Sequence, residues 1–94
     1  MDLYLTGKTI VVTASSKGLG RAVAEQLAAE GAHLLLCSRN EDSVKETAED
    51  IRRKFKVKVE AMAVDLSEPA DIDRLVTYAD DHFGRVDALV CNSG

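Results

Sequence analysis

Short runs of β-branched or apolar residues alternate along the whole chain with longer stretches whose apolar residues recur every three or four positions, and few folds accommodate that pattern. It reads as βαβαβαβ. The first strand is Thr9 to Thr13, and a small polar loop then leads through Gly18 into a helix. Leu19, Val23 and Leu27, padded by Ala22, Ala24 and Ala28, are that helix's expected core face, with Gly31 placed for a left-handed cap. His33 to Cys37 is the second strand. Asn40 then caps a helix with Glu41 and Asp42 in its first turn, Val44, Ala48, Ile51 and Phe55 inward and a solvated basic end at Arg52, Arg53 and Lys54. The third strand, Val57 to Val64, alternates charged and apolar residues. Ser67 is the expected cap of a third helix with Pro69 in its first turn, Ile72, Leu75, Val76, Ala79 and Phe83 facing the core, and Gly84 as its stop. Val86 to Cys91 is the fourth strand.

Strands separated by single helices run parallel, and right-handed crossovers wind them into an open, doubly wound α/β sheet of the Rossmann kind, with strand order 3-2-1-4. A chain of 94 residues holds one domain at most. Its formal net charge of -4 argues against a nucleic-acid or anionic-membrane partner. No apolar run reaches the ~18 residues of a membrane span and the first residues lack the regions of a secretory signal, so a cytoplasmic chain is expected. Cys37 and Cys91 offer neither a disulfide framework nor a metal set, and both are expected to be buried thiols, held two strand spacings apart by the proposed order.

Between the first strand and first helix lies Thr13-Ala14-Ser15-Ser16-Lys17-Gly18-Leu19-Gly20, where doubly wound folds bind a pyrophosphate. Unpaired N–H groups and the helix dipole attract anions there, while Gly18 and Gly20 keep side chains away from the phosphates and the neighbouring strand. At the end of the second strand, where an acid would bind ribose hydroxyls, stand Ser38, Arg39 and Asn40. An acid repels a 2′-phosphate, whereas Arg39 can clamp one, and Lys17 adds a second cation. This favours NADP over NAD.

Thr13 to Gly20 resembles the TGxxxGxG coenzyme loop of the short-chain dehydrogenase/reductase family, Val64-Asp65-Leu66 resembles its adenine-contacting stretch, and Cys91-Asn92-Ser93-Gly94 resembles its NNAG motif after strand four. The resemblance implies that Asp65 bonds the adenine amino group with Leu66 beside it, that Asn92 and Gly94 lie near the adenosine ribose, and that Ser15 and Ser16 line the phosphate end. The chain departs from the pattern at Ala14, Cys91 and Ser93. At Ala14, which replaces the first glycine, a negative φ is expected.

The family's Ser, Tyr and Lys, in YxxxK spacing, lie beyond the fourth strand, so the chain reads as the coenzyme-binding half of a longer oxidoreductase acting on carbonyls or alcohols, with no catalytic residues of its own. Tyr4 to Lys8 matches YxxxK literally, but Gly7 and the adjoining strand deny it the helix that would set both side chains on one face. His33 and His82 lack the partners of a nucleophile. The rival reading is a non-catalytic nucleotide-binding or interaction module complete at this length. Either way strand four, almost wholly apolar, expects a neighbour, supplied by the missing half or by another chain in a homo-oligomer.

Overall fold

A strand that is apolar on both faces needs a layer on each side. Thr9–Val12 is buried at all four positions, and Leu34, Leu35, Leu36 and Cys37 are buried in succession. The structure, a computed structural model, describes residues 5–14 and 18–92. Within them the order is β1 (Thr9–Val12), α1 (Gly18–Ala29), β2 (His33–Ser38), α2 (Glu41–Lys54), β3 (Val59–Ala63), α3 (Pro69–Phe83) and β4 (Ala88–Val90). All strand pairs are parallel and the sheet order is β3-β2-β1-β4, as expected. The third and fourth strands are shorter than the apolar runs that announce them.

Alternation along the strands sorts the core into two layers. Ile10, Val12, Leu34, Leu36 and Val59 pack with Ala24 and Ala28 of α1 and with Val44, Ala48 and Ile51 of α2. Val11, Leu35 and Cys37 face the other way, onto Val64 and onto Leu75 and Ala79 of α3. Burying each leucine of β2 contributes roughly 1.5–3 kcal/mol. Burial also pushes the Cys37 thiol up to about 12, so it sits as a neutral apolar group.

The core face of α1 includes Ala24, Ala28 and Leu27 as expected but is centred on smaller residues. Leu19 is 74% exposed, and the buried residues are Gly20, Ala24 and Ala28, one turn apart. Small residues let the helix axis approach the sheet closely, a constraint that outweighs the greater hydrophobicity of leucine. Gly31 follows with φ +89° and closes the helix: its N–H donates to Ala28 O and that of Ala32 to Leu27 O. A Cβ on Gly31 would lie 2.9 Å from Thr6 Oγ1, so shape as well as backbone demands glycine here. Asn40 caps α2 as expected, its Oδ1 accepting from Ser43 N at 2.9 Å. Arg21 of α1 joins the two helices by donating to Glu25 at 3.1 Å and to Asp50 of α2 at 2.9 Å.

Three further expectations fail on the other face. Glu68, not Ser67, is the N-cap of α3, and it makes no side-chain cap bond, because the Ser67 hydroxyl is turned back onto Asp65 Oδ1 at 2.6 Å. Ile72 and Val76, expected inward, are exposed, and so is Cys91, expected to be a buried thiol, because it lies just past the end of β4 where, like Val86 and Leu89, it has no described layer over it. The described chain supplies no layer to cover them. Val76, Val86 and Leu89, with Val11, Leu75 and Ala79, bound an open apolar cavity of about 340 Å³.

Candidate functional site

In a parallel doubly wound sheet the loops leaving the strands' C-terminal ends gather at one rim, with the crevice where the connections change direction. Here that rim holds a cavity of about 610 Å³ lined by Thr13, Ala14, Ser38, Arg39, Asn40, Asp65, Leu66 and Asn92, among others. Residues 51 positions apart in sequence, Ala14 and Asp65, thus share one wall. Gly18, Leu19 and Gly20 open α1 beside it, Gly18 with φ +62° and clear space where a Cβ would stand. Ser15, Ser16, Lys17 and Gly94 lie outside the described residues, as does Tyr4.

Ala14 takes φ +51°, not the negative φ expected of it. The backbone must reverse sharply where β1 gives way to the loop, and the turn dictates the left-handed conformation whatever the residue. A methyl there costs about 1–2 kcal/mol against glycine's freedom.

The rim is tied together by side chains that hold backbone. Thr13 Oγ1 accepts from Asn92 N at 3.1 Å, and Asn92 Nδ2 donates to Thr13 O at 2.8 Å, locking the ends of β1 and β4. Ser38 O accepts from Val64 N at 2.9 Å and joins the ends of β2 and β3. Ser38 Oγ accepts from Asn40 N at 3.2 Å, so the last residue of β2 and the N-cap of α2 together shape the turn. Arg39 between them is exposed, and among the described residues it forms no ion pair. Asp65 Oδ1 accepts from Ser67 N and from its hydroxyl; these bonds, with the Arg39 charge as a smaller contribution, hold the Asp65 carboxyl below the usual carboxylate range. Asp65 and the exposed Leu66 line the cavity.

A cation, an ionised carboxylate and an apolar flank therefore share a rim with a glycine-led helix start. Such a set can bond an anion through the guanidinium and an N–H donor through the carboxylate, and can cover a flat apolar face with the leucine. Asp71 and Arg74 were not legible as part of this region. Asp71 Oδ2 accepts from Asp65 N at 2.9 Å, and Arg74 donates to Ala63 O at 2.8 Å. The signal available was only an acid in the first turn of the third helix.

His33 and His82 sit away from the rim in structural roles. His33 Nδ1 accepts from Lys58 N at 2.9 Å, and His82 stacks on Tyr78 with ring centroids 3.8 Å apart. Among the described residues no group of three or more His, Cys, Asp and Glu could hold a metal ion, and no helix is long and apolar enough to cross a membrane.

Comparison with known proteins agrees with this geometry. Dehydrogenase/reductase SDR family member 4 of Caenorhabditis elegans is 39% identical over 88 residues, 94% of this chain but 34% of that protein. The structure of L-sorbose reductase from Gluconobacter frateurii, complexed with NADPH and L-sorbose, superposes with a TM-score of 0.95 at 42% identity, covering 100% of this chain and 36% of the reductase. A short-chain dehydrogenase/reductase from Burkholderia phymatum, in complex with NAD, superposes with a TM-score of 0.85 at 32% identity over 90% of this chain and 30% of its own. The chain thus spans about a third of the length of such relatives. The family model for short chain dehydrogenases matches residues 8–94, and the chain belongs to that family.

Proposed function

We propose that residues 1–94 are the NADP(H)-binding half-domain of a longer short-chain oxidoreductase, which transfers hydride between nicotinamide and a carbonyl or alcohol substrate. The observation that carries this reading is the rim cavity that joins exposed Arg39 to Asp65 and Leu66. Arg39 takes the 2′-phosphate through charge-assisted bonds, with Lys17 as a second cation. Ser15, Ser16, Gly18, Leu19 and Gly20 receive the pyrophosphate at the start of α1. Asp65 accepts from the adenine amino group and Leu66 covers one face of the base. Asn92, fixed by Thr13, borders the adenosine ribose together with Gly94. Ser38 and Asn40 hold the turn that presents Arg39. Hydride exchange is the chemistry the nicotinamide supplies when bound; the residues of this chain bind and orient the dinucleotide.

The relatives' cofactors, NADPH in one and NAD in another, support a nicotinamide dinucleotide, and Arg39 is what favours the phosphorylated form. The remainder of a longer chain, or a second copy, covers β4 and the apolar groove beside it, so the isolated chain forms homo-oligomers.

Titrating NADP⁺ into isotope-labelled protein tests the binding reading. Amide shifts should concentrate at Gly18, Gly20, Arg39, Asp65 and Leu66. Shifts confined to the opposite end of the sheet, or none at millimolar ligand, would overturn it. The chain alone should show no reductase turnover, and Tyr4→Phe should leave any residual rate unchanged.

A further inference from the structure

The end of β3 is held from α3 in a way that the family-level reading of Asp65 does not include. Asp71 stands in the first turn of α3, where the N-cap Glu68 makes no side-chain bond. Instead of closing on its own helix, the Asp71 carboxylate reaches back six residues and accepts from Asp65 N at 2.9 Å. Its second oxygen lies 3.5 Å from Arg74 Nε, and Arg74 in turn donates to Ala63 O at 2.8 Å. From the other side Ser38 O accepts from Val64 N at 2.9 Å. The three residues from Ala63 to Asp65 are therefore pinned between β2 and α3. The turn that follows is closed by Asp65 itself, which accepts from Ser67 N and Oγ through Oδ1 and from Glu68 N through its carbonyl. Among the described residues these bonds use one carboxylate oxygen and leave Oδ2 for an outside donor.

We propose that Asp71, steadied by Arg74, is a positioning residue for base recognition: by fixing the Asp65 peptide it aims Asp65 Oδ2 at the exocyclic amino group of adenine. This rests on the dinucleotide reading. A carboxylate aimed in advance loses little freedom on binding, and a base without the amino donor leaves that oxygen facing a carbonyl. The site should thus discriminate adenine from hypoxanthine, and Asp71 should set how strongly.

The test is calorimetry of the 94-residue chain with adenosine 2′,5′-bisphosphate and inosine 2′,5′-bisphosphate, which differ at the amino group's position on the base. The parent should prefer the adenine compound by about tenfold or more. Asp71→Ala should reduce that ratio to near one, with the thermal midpoint followed in parallel. Asp71→Asn, which keeps an acceptor for Asp65 N, should preserve most of it. General loss of structure would weaken both ligands together and leave the ratio unchanged, and that result would overturn the inference. If Asp71→Ala does not fold, Arg74→Gln decides: the ratio must fall by at least a few fold, and an unchanged ratio refutes the proposal. Binding of both compounds by the parent without preference refutes it while leaving the cofactor reading standing. Failure of the parent to bind either removes the cofactor reading and this inference with it.

Discussion

Along the outer edge of β3 two arginines close the strand off, whereas the outer edge of β4 carries apolar side chains and, among the described residues, no strand beyond it. Arg52 of α2 donates to Val59 O at 2.7 Å and Arg74 of α3 to Ala63 O at 2.8 Å, one from each helix layer. Glu60 adds a hydrogen bond from Tyr78 at 3.3 Å, and Lys58 lies over the Phe83 ring at 4.6 Å. Edge carbonyls that already have donors, flanked by charge, make a poor template for another chain. At β4, Leu89 is 58% and Val86 48% exposed, and the apolar groove beneath continues onto Val76. One edge terminates a sheet and the other has the chemistry of a sheet interrupted. The contrast supports β4 as the edge for the neighbour proposed above.

The largest effect should come from charging the open edge. The parent chain should elute at dimer size or above, and Leu89→Lys should shift it to monomer. A sharp monomer peak for the parent at high concentration, with strongly protected β4 amides, would erase the distinction. Opening the guarded edge is the converse experiment. Arg52→Ala and Arg74→Ala should each cost about 0.5–1.5 kcal/mol by chemical denaturation, a hydrogen bond to a partly hydrated carbonyl, and the double variant should gain a tendency to associate that Leu89→Lys does not suppress.

The attachments of β4 suggest a pH experiment. Asp87 Oδ2 accepts from Thr9 N at 2.8 Å and Oδ1 pairs with Arg85; these contacts, the Thr9 bond foremost, hold its carboxyl below the ordinary 3.8. A lowered folded value means that the stabilisation is complete above the unfolded pKa and disappears as pH falls through the folded one. Exchange protection of Thr9 and Leu89 amides should therefore drop as pH is taken below about 3.8, ahead of the β2–β3 pair, and Asp87→Asn should abolish that dependence. Simultaneous loss at both edges would mean that Asp87 is not the clamp. The smallest effect concerns the tip of β1, between the two edges. Ala14→Gly should relieve the left-handed alanine, less the entropy of a new glycine, for a net gain of up to about 1 kcal/mol in thermal unfolding. A loss of stability would contradict the conformation described for it.

Strand order and helix placement were legible because one rule, parallel strands joined by right-handed crossovers, leaves almost no freedom once the alternation is seen. The core face of α1 was not. Leu19-Val23-Leu27 and Gly20-Ala24-Ala28 have the same spacing, and only the distance of the helix from the sheet decides between them. Ile72 and Val76 were placed inward because they are apolar at core spacing, but the layer they would meet is not among the described residues. The positive φ of Ala14 is not legible in the sequence, since a residue's φ is set by the turn around it. On the rim, Arg39 is legible from its position after the second strand, and Asp65 and Leu66 only through the resemblance of Val64-Asp65-Leu66 to the family's adenine-contacting stretch. Asp71 and Arg74 are not, because their partners are backbone atoms, which a sequence does not display.

Calorimetric titration of NADP⁺ and NAD⁺ into the parent chain and into Arg39→Asp tests the central claim most directly. The account predicts tighter binding of NADP⁺ by the parent, by about tenfold or more for a charge-assisted bond, and the reverse order in Arg39→Asp, where a carboxylate repels the 2′-phosphate and can accept from a free ribose hydroxyl. Equal affinities for the two dinucleotides in both proteins would contradict it.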